Sequence, residues 1–121
     1  MTDGDSTAAT PLTLDEYQQL ARRTMNPALE PGERLLDAAA GLSEEAGESL
    51  GLVRKHLFQQ HPLDRARLAV ELGDALWCIA ALATSLELSL GAVAAGNIEK
   101  LKRRYPGGFT AQASWQREDG G

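Results

Sequence analysis

The sequence predicts an all-α protein: a small helical bundle built as one domain. Three observations carry that reading. Only 5% of residues are aromatic although 43% are hydrophobic, so Leu and Ala must fill the core, and both form helices well and strands poorly. Apolar residues recur at helical spacing over long stretches. Segments bearing proline or glycine (Asn26-Pro27, His61-Pro62 and Pro106-Gly107-Gly108) cut the chain into pieces of helix length. A length of 121 residues gives room for one domain and not for two.

The elements follow in order. Residues 1–12 are small, polar and acidic, with Pro11 near their end, and read as disordered. A first helix is expected over 14–25. Thr13 is a good N-cap, Glu16 three residues later completes a capping box, and Asn26-Pro27 stops the helix. Leu14, Tyr17, Leu20 and Ala21 form its packing face. A second helix over 32–58 would be roughly 40 Å long at about 1.5 Å per residue. It contains Gly41, Gly47 and Gly51, each costing up to about 1 kcal/mol relative to alanine. Such glycines point to close approach of another helix or a ligand, or to a kink.

The third helix begins at Leu63 or Asp64 and runs to Glu87. It is apolar on nearly all sides (Leu68, Val70, Leu72, Leu76, Trp77, Ile79, Leu82, Leu86), which places it centrally. A chain of four helices covers such a helix only in part, and an isologous dimer would bury the remainder. The fourth helix covers 89–104, and Lys100, Lys102, Arg103 and Arg104 suit the negative end of its dipole. The folded domain then spans 13–110. Residues 111–121 form a polar tail whose only anchor is Trp115.

Composition excludes several functions. The net charge is −5 and the longest basic run is Lys102-Arg103-Arg104, so there is no broad positive surface for nucleic acid. The single cysteine, Cys78, rules out an internal disulfide, and its apolar neighbours suggest a small buried thiol. The polar start is unlike a signal peptide and no apolar run looks long enough to span a bilayer, so a cytoplasmic location is expected, with no membrane partner.

The chemistry-bearing residues are carboxylates. On the second helix Glu44, Glu45 and Glu48 share one side, whereas most of its apolar residues, among them Leu36, Leu42, Leu50, Val53 and Leu57, lie on the other. On the third helix Glu71 and Asp74 share a face inside the run AVELGDALWCIAALA, where charge is costly unless compensated. A short connection makes the two helices antiparallel neighbours, and 22 residues separate Glu48 from Glu71. The two acidic pairs therefore reach comparable heights along the hairpin. A solvated acidic face accounts for the second helix but not for the third. A hard divalent cation accounts for both, and oxygen-only ligands suit Mg²⁺ or Mn²⁺ rather than zinc. A di-iron bundle needs a Glu-x-x-His pair, and neither His56 nor His61 has a glutamate three residues before it.

The fourth helix carries Asn97, Lys100 and Arg104 on one stripe. Beside a metal patch, such a stripe reads as a clamp for phosphate oxygens.

Glu45-x-x-Glu48 followed by Glu71-x-x-Asp74 resembles the double motif of the MazG-like nucleoside triphosphate pyrophosphohydrolases. The ending NIEKLKRRYPGGF is similar to that family's closing helix, with Asn97, Lys100, Arg104 and Tyr105 at matching places, and YQQLARRTMNP is similar to its opening helix. The resemblance covers roughly residues 14–109 and one MazG-type domain. It implies an all-α, four-helix MazG-like bundle completed by a second subunit, as a homodimer or homotetramer. It implies Mg²⁺ bound by Glu45, Glu48, Glu71 and Asp74, and release of pyrophosphate from NTP or dNTP. Glu44, just outside the minimal motif, is an extra ligand or helps to activate water.

The expected reaction is attack by a metal-activated water at the α-phosphorus, giving a nucleoside monophosphate and pyrophosphate. Glu44 or Glu45 takes the proton, Lys100 and Arg104 neutralise the phosphates, and Asn97 hydrogen-bonds to substrate or to a ligand carboxylate. The alternative is a non-catalytic helical scaffold that binds a cation or basic partner through its acidic groove.

Overall fold

The computed structural model describes residues 11–116. Among these residues five helices follow one another: α1 (Leu14–Arg22), α2 (Pro31–Phe58), α3 (Arg65–Ser85), α4 (Leu90–Arg104) and α5 (Ala111–Trp115). No strand occurs among the described residues. The all-α expectation holds, and the four expected helices are present. Of the expected N-terminal disorder, residues 1–10 lie outside the described residues, as do residues 117–121 of the tail.

Local signals set the boundaries. The Thr13–Glu16 capping box forms: the Glu16 N–H donates to Thr13 Oγ1 at 3.0 Å and the Thr13 N–H to Glu16 Oε1 at 2.8 Å. α1 closes at Arg22, three residues before the expected end, because the chain passes into i→i+3 turns at Arg23, Thr24 and Met25. Asp64 caps α3 by accepting from the Arg67 N–H at 2.9 Å, and Ser89 caps α4 by accepting from Ala92 at 3.0 Å. At the end of α3 the Leu88 N–H reaches Ala83 O at 2.8 Å and the Glu87 N–H reaches Thr84 O at 3.1 Å, a Schellman pattern with Glu87 left-handed at φ 58°.

α3 is the central helix: α1, α2 and α4 all pack on it, and α2 does so along most of its length. By length and composition α3 also passes for a membrane span, contrary to the expectation that no apolar run would. Glu71 and Asp74 in its middle, and helices on three sides, suit the centre of a bundle better.

α1 fastens the α3–α4 corner. Asp15 Oδ1 accepts from the Gly91 N–H at 2.8 Å and from the Ser89 hydroxyl at 2.9 Å, while Gln18 Oε1 accepts from the Leu90 N–H at 2.8 Å. The Gln18 amide in turn donates to Leu88 O and Thr84 Oγ1. Gly91 N–H first, then the Ser89 hydroxyl, holds the Asp15 carboxyl below its usual range. A Cβ at Gly91 would stand 3.1 Å from that carboxylate.

The core is made of small side chains: Ala38, Cys78, Ala80, Ala81 and Ala83, with Leu90. Tyr17 and Ala21 pack against it as expected, whereas Leu14 and Leu20 of the same predicted face remain exposed, since a helix as short as α1 reaches α3 along one narrow stripe. The apolar side of α2 points outward: Leu36 is 71% exposed, Leu50 61% and Leu57 63%. Trp115 is 90% exposed on α5, so it does not anchor the tail.

Of the three α2 glycines, one marks a close approach. A Cβ at Gly41 would lie 2.9 Å from Cys78 Sγ, whereas Gly47 and Gly51 face open space. α2 runs unbroken through all three, so no chain break is needed there. Gly41→Ala should therefore destabilise the protein by about 1–3 kcal/mol through overpacking. In a Cys78→Ala background the same change should stabilise it by up to about 1 kcal/mol, the helix-propensity gain. Denaturant unfolding of the four-member cycle measures this coupling.

Candidate metal centre

The α2–α3 contact that excludes a side chain at Gly41 also sets the carboxylates face to face. Glu45 lies one turn beyond Gly41 on α2. Asp74 and Glu71 lie one and two turns before Cys78 on α3. One oxygen each from Glu45, Glu71 and Asp74 falls within 4.8 Å of the others. Glu71 is 4% exposed, Glu45 is half-buried and Asp74 is exposed, so the cluster opens outward at Asp74.

These charges are poorly compensated. Arg67 Nε donates to Glu71 Oε2 at 3.1 Å. Glu45 Oε1 is shielded from solvent and has no hydrogen-bond partner. Hydrogen bonding with Glu71 first, then desolvation, then Glu48 pushes the Glu45 carboxyl up to about 7. A shielded oxygen without a donor, on a carboxyl whose neighbours are other carboxylates, fits a hard cation such as Mg²⁺ or Mn²⁺.

The structure brings together three of the four expected metal ligands, Glu45, Glu71 and Asp74. Glu48 sits beside Glu45, close enough to hydrogen-bond with it and raise its pKa. Glu44 is exposed. Asn97 is exposed, and Lys100, Arg104 and Tyr105 are half-buried on and beyond α4, which packs on α1 and the end of α3. Among the described residues no hydrogen bond or ion pair links Asn97, Lys100 or Tyr105 to the carboxylates. Tyr105 stacks on Phe109 with ring centroids 5.4 Å apart, and the Arg104 guanidinium lies over the Tyr105 ring at 5.9 Å.

Three residues near the cluster escape a motif-based reading. Arg67 carries a legible signal, since a cation four residues before an acid on a helix pairs with it. Asp37 stands seven residues before Glu44, nearly in line with it, and acts on Cys78 together with the motif acids. Tyr17 faces Asp74 and Cys78 from α1; burial first, then those two groups, raises its hydroxyl. That contact depends on how α1 docks, which no local pattern encodes. Burial also raises the Cys78 thiol, and Glu45, Asp37, Asp74 and Glu44 add to the effect, leaving an inert buried thiol as expected. His56 and His61 sit at the hairpin turn, where His56 Nδ1 meets His61 O at 2.9 Å.

An all-helical hairpin that presents convergent carboxylates is an arrangement able to hold a divalent cation. Residues 34–109 match the family model for the MazG nucleotide pyrophosphohydrolase domain. The chain is 35% identical over 102 residues to the Gene 37 protein of Mycobacterium phage L5, covering 75% of this chain and 87% of the phage protein. The protein belongs to the MazG nucleotide pyrophosphohydrolase family. No solved structure matches the chain.

The raised Glu45 carboxyl has a consequence for the metal-free protein. A group whose folded pKa, about 7, exceeds its unfolded value of 4.5 keeps more protons in the folded state between those values. Its contribution is present below pH 4.5 and lost as pH rises through about 7. In a chelator, thermal stability should fall from pH 5 to pH 8, and Glu45→Gln should flatten that slope. A slope unchanged by Glu45→Gln would contradict the assignment.

Proposed function

We propose that the protein is a Mg²⁺-dependent nucleoside triphosphate pyrophosphohydrolase, with Mn²⁺ as a substitute, converting NTP or dNTP to the monophosphate and pyrophosphate. Family membership supports hydrolysis of nucleotides. The observation that carries the metal dependence is the Glu45, Glu71 and Asp74 cluster with its partnerless, shielded Glu45 oxygen.

Glu45, Glu48, Glu71 and Asp74 would hold the cation. When bound, a divalent cation there neutralises triphosphate oxygens and makes water a better nucleophile at neutral pH. Glu45, which borders the cluster, is the first candidate to take a proton from the attacking water. Glu44, exposed beside it, is the second candidate for that task. Lys100 and Arg104 would meet the phosphates as a point charge and a fork, with Asn97 and Tyr105 orienting the substrate. Among the described residues, Cys78 is buried and both histidines sit at the turn, which supports water as the nucleophile.

The working unit is a homodimer or homotetramer formed around the domain 13–110. The outward apolar side of α2 and the exposed Val70, Leu72 and Ile79 of α3 support this, because a bundle whose core is mostly alanine leaves that surface uncovered. Burying those faces against a second copy completes the four-helix core. Light scattering at micromolar concentration should give a multiple of the single-chain mass. A fully active single chain would contradict the proposal.

Hydrolysis in ¹⁸O-labelled water tests the reaction itself. The label should enter the nucleoside monophosphate and not the pyrophosphate. Orthophosphate as the first product would make the protein a phosphatase instead. Asp74→Asn and Glu48→Gln should each lower the rate by at least about a hundredfold while the helical content persists. Metal binding without hydrolysis of any nucleotide would favour a non-catalytic scaffold.

A further inference from the structure

The buried Glu71 has a resident partner in the metal-free chain. Arg67 lies one turn earlier on α3, and its Nε donates to Glu71 Oε2 at 3.1 Å. The two ends of this pair differ sharply in environment, since the Arg67 side chain is 56% exposed and that of Glu71 is 5% exposed. Glu71 is fixed by burial at the α2–α3 contact, whereas Arg67 reaches in from solvent and has room to leave. The helix start does not depend on the guanidinium, because Asp64 caps α3 through the Arg67 backbone N–H.

Glu45, Glu71 and Asp74 stand within 4.8 Å of one another, and Glu48 adds a fourth acid beside Glu45. Positive charge at Glu71 relieves their repulsion. The same charge opposes a dication that seeks the same oxygens, because the two cations repel across a few ångströms. From this juxtaposition we propose that Arg67 is the internal counter-ion of the carboxylate cluster, holding Glu71 in the metal-free protein and competing with a divalent cation for it. Arg67 is thus a positioning residue that trades site order without metal against affinity for metal. Release of Arg67 from Glu71 accompanies metal binding. The inference rests on the metal reading of the cluster.

Mn²⁺ titration of the full chain by calorimetry tests it, with Arg67→Gln and Arg67→Lys beside the wild type. Arg67→Gln removes the charge and should tighten Mn²⁺ binding by about tenfold, the scale of repulsion between a unit charge and a dication in well-solvated protein. It should also lower the melting temperature in a chelator, because Glu71 loses its partner, and so enlarge the rise in melting temperature that Mn²⁺ produces. That rise remains measurable even if the metal-free variant is partly unfolded. Arg67→Lys keeps the charge and should bind Mn²⁺ nearly as the wild type does. Equal or weaker Mn²⁺ binding by Arg67→Gln overturns the proposal, as does Arg67→Lys binding as tightly as Arg67→Gln. Absence of Mn²⁺ binding by the wild type would instead overturn the metal reading itself.

Discussion

The close contact between α2 and α3 is the constraint on which the rest of the molecule depends. It is close because the residues at the crossing are small: Gly41 and Ala38 on one helix, Cys78 and Ala81 on the other, with no room for a Cβ between Gly41 and the thiol. That spacing carries Glu45 to Glu71 and Asp74. A wider crossing, with leucines between the helices, would let each acid reach water separately. The small core that makes the bundle marginal in apolar burial is thus the same feature that builds the carboxylate cluster.

A cost follows from that arrangement. An amphipathic helix ordinarily turns its apolar side toward the core. α2 turns its acidic side toward α3 and leaves Leu36, Leu50 and Leu57 outside. In the proposed oligomer those leucines become core and the acids line the interior of the hairpin. Site and assembly are then two consequences of one helix orientation. α1 contributes by fixing the α3–α4 corner through Asp15 and Gln18, which sets where α4 and its basic stripe begin.

Much of this was legible in the sequence because it is encoded locally. The Thr13–Glu16 capping box and the proline and glycine boundaries each act over three or four residues, and the helices fell within a few residues of where those signals put them. The Glu45, Glu71 and Asp74 cluster was legible for a different reason: charge inside an apolar helix has few explanations, and the hairpin register limits which acids can meet. Three features were not legible. The end of α1 is decided by a run of turns that competes with a helix in energy, not by a residue type. Gly41, Gly47 and Gly51 look alike in sequence, and only the crossing point distinguishes Gly41. A large aromatic in a polar tail suggests an anchor, yet α5 is too short to bring Trp115 onto the bundle.

The central claim is that the acids converging between α2 and α3 form a divalent-cation site. Anomalous diffraction from crystals grown with Mn²⁺ tests it most directly. The account predicts a manganese peak bonded to oxygens of Glu45, Glu71 and Asp74. Manganese bound only elsewhere, or the three carboxylates retaining their positions with no peak at saturating metal, would contradict it.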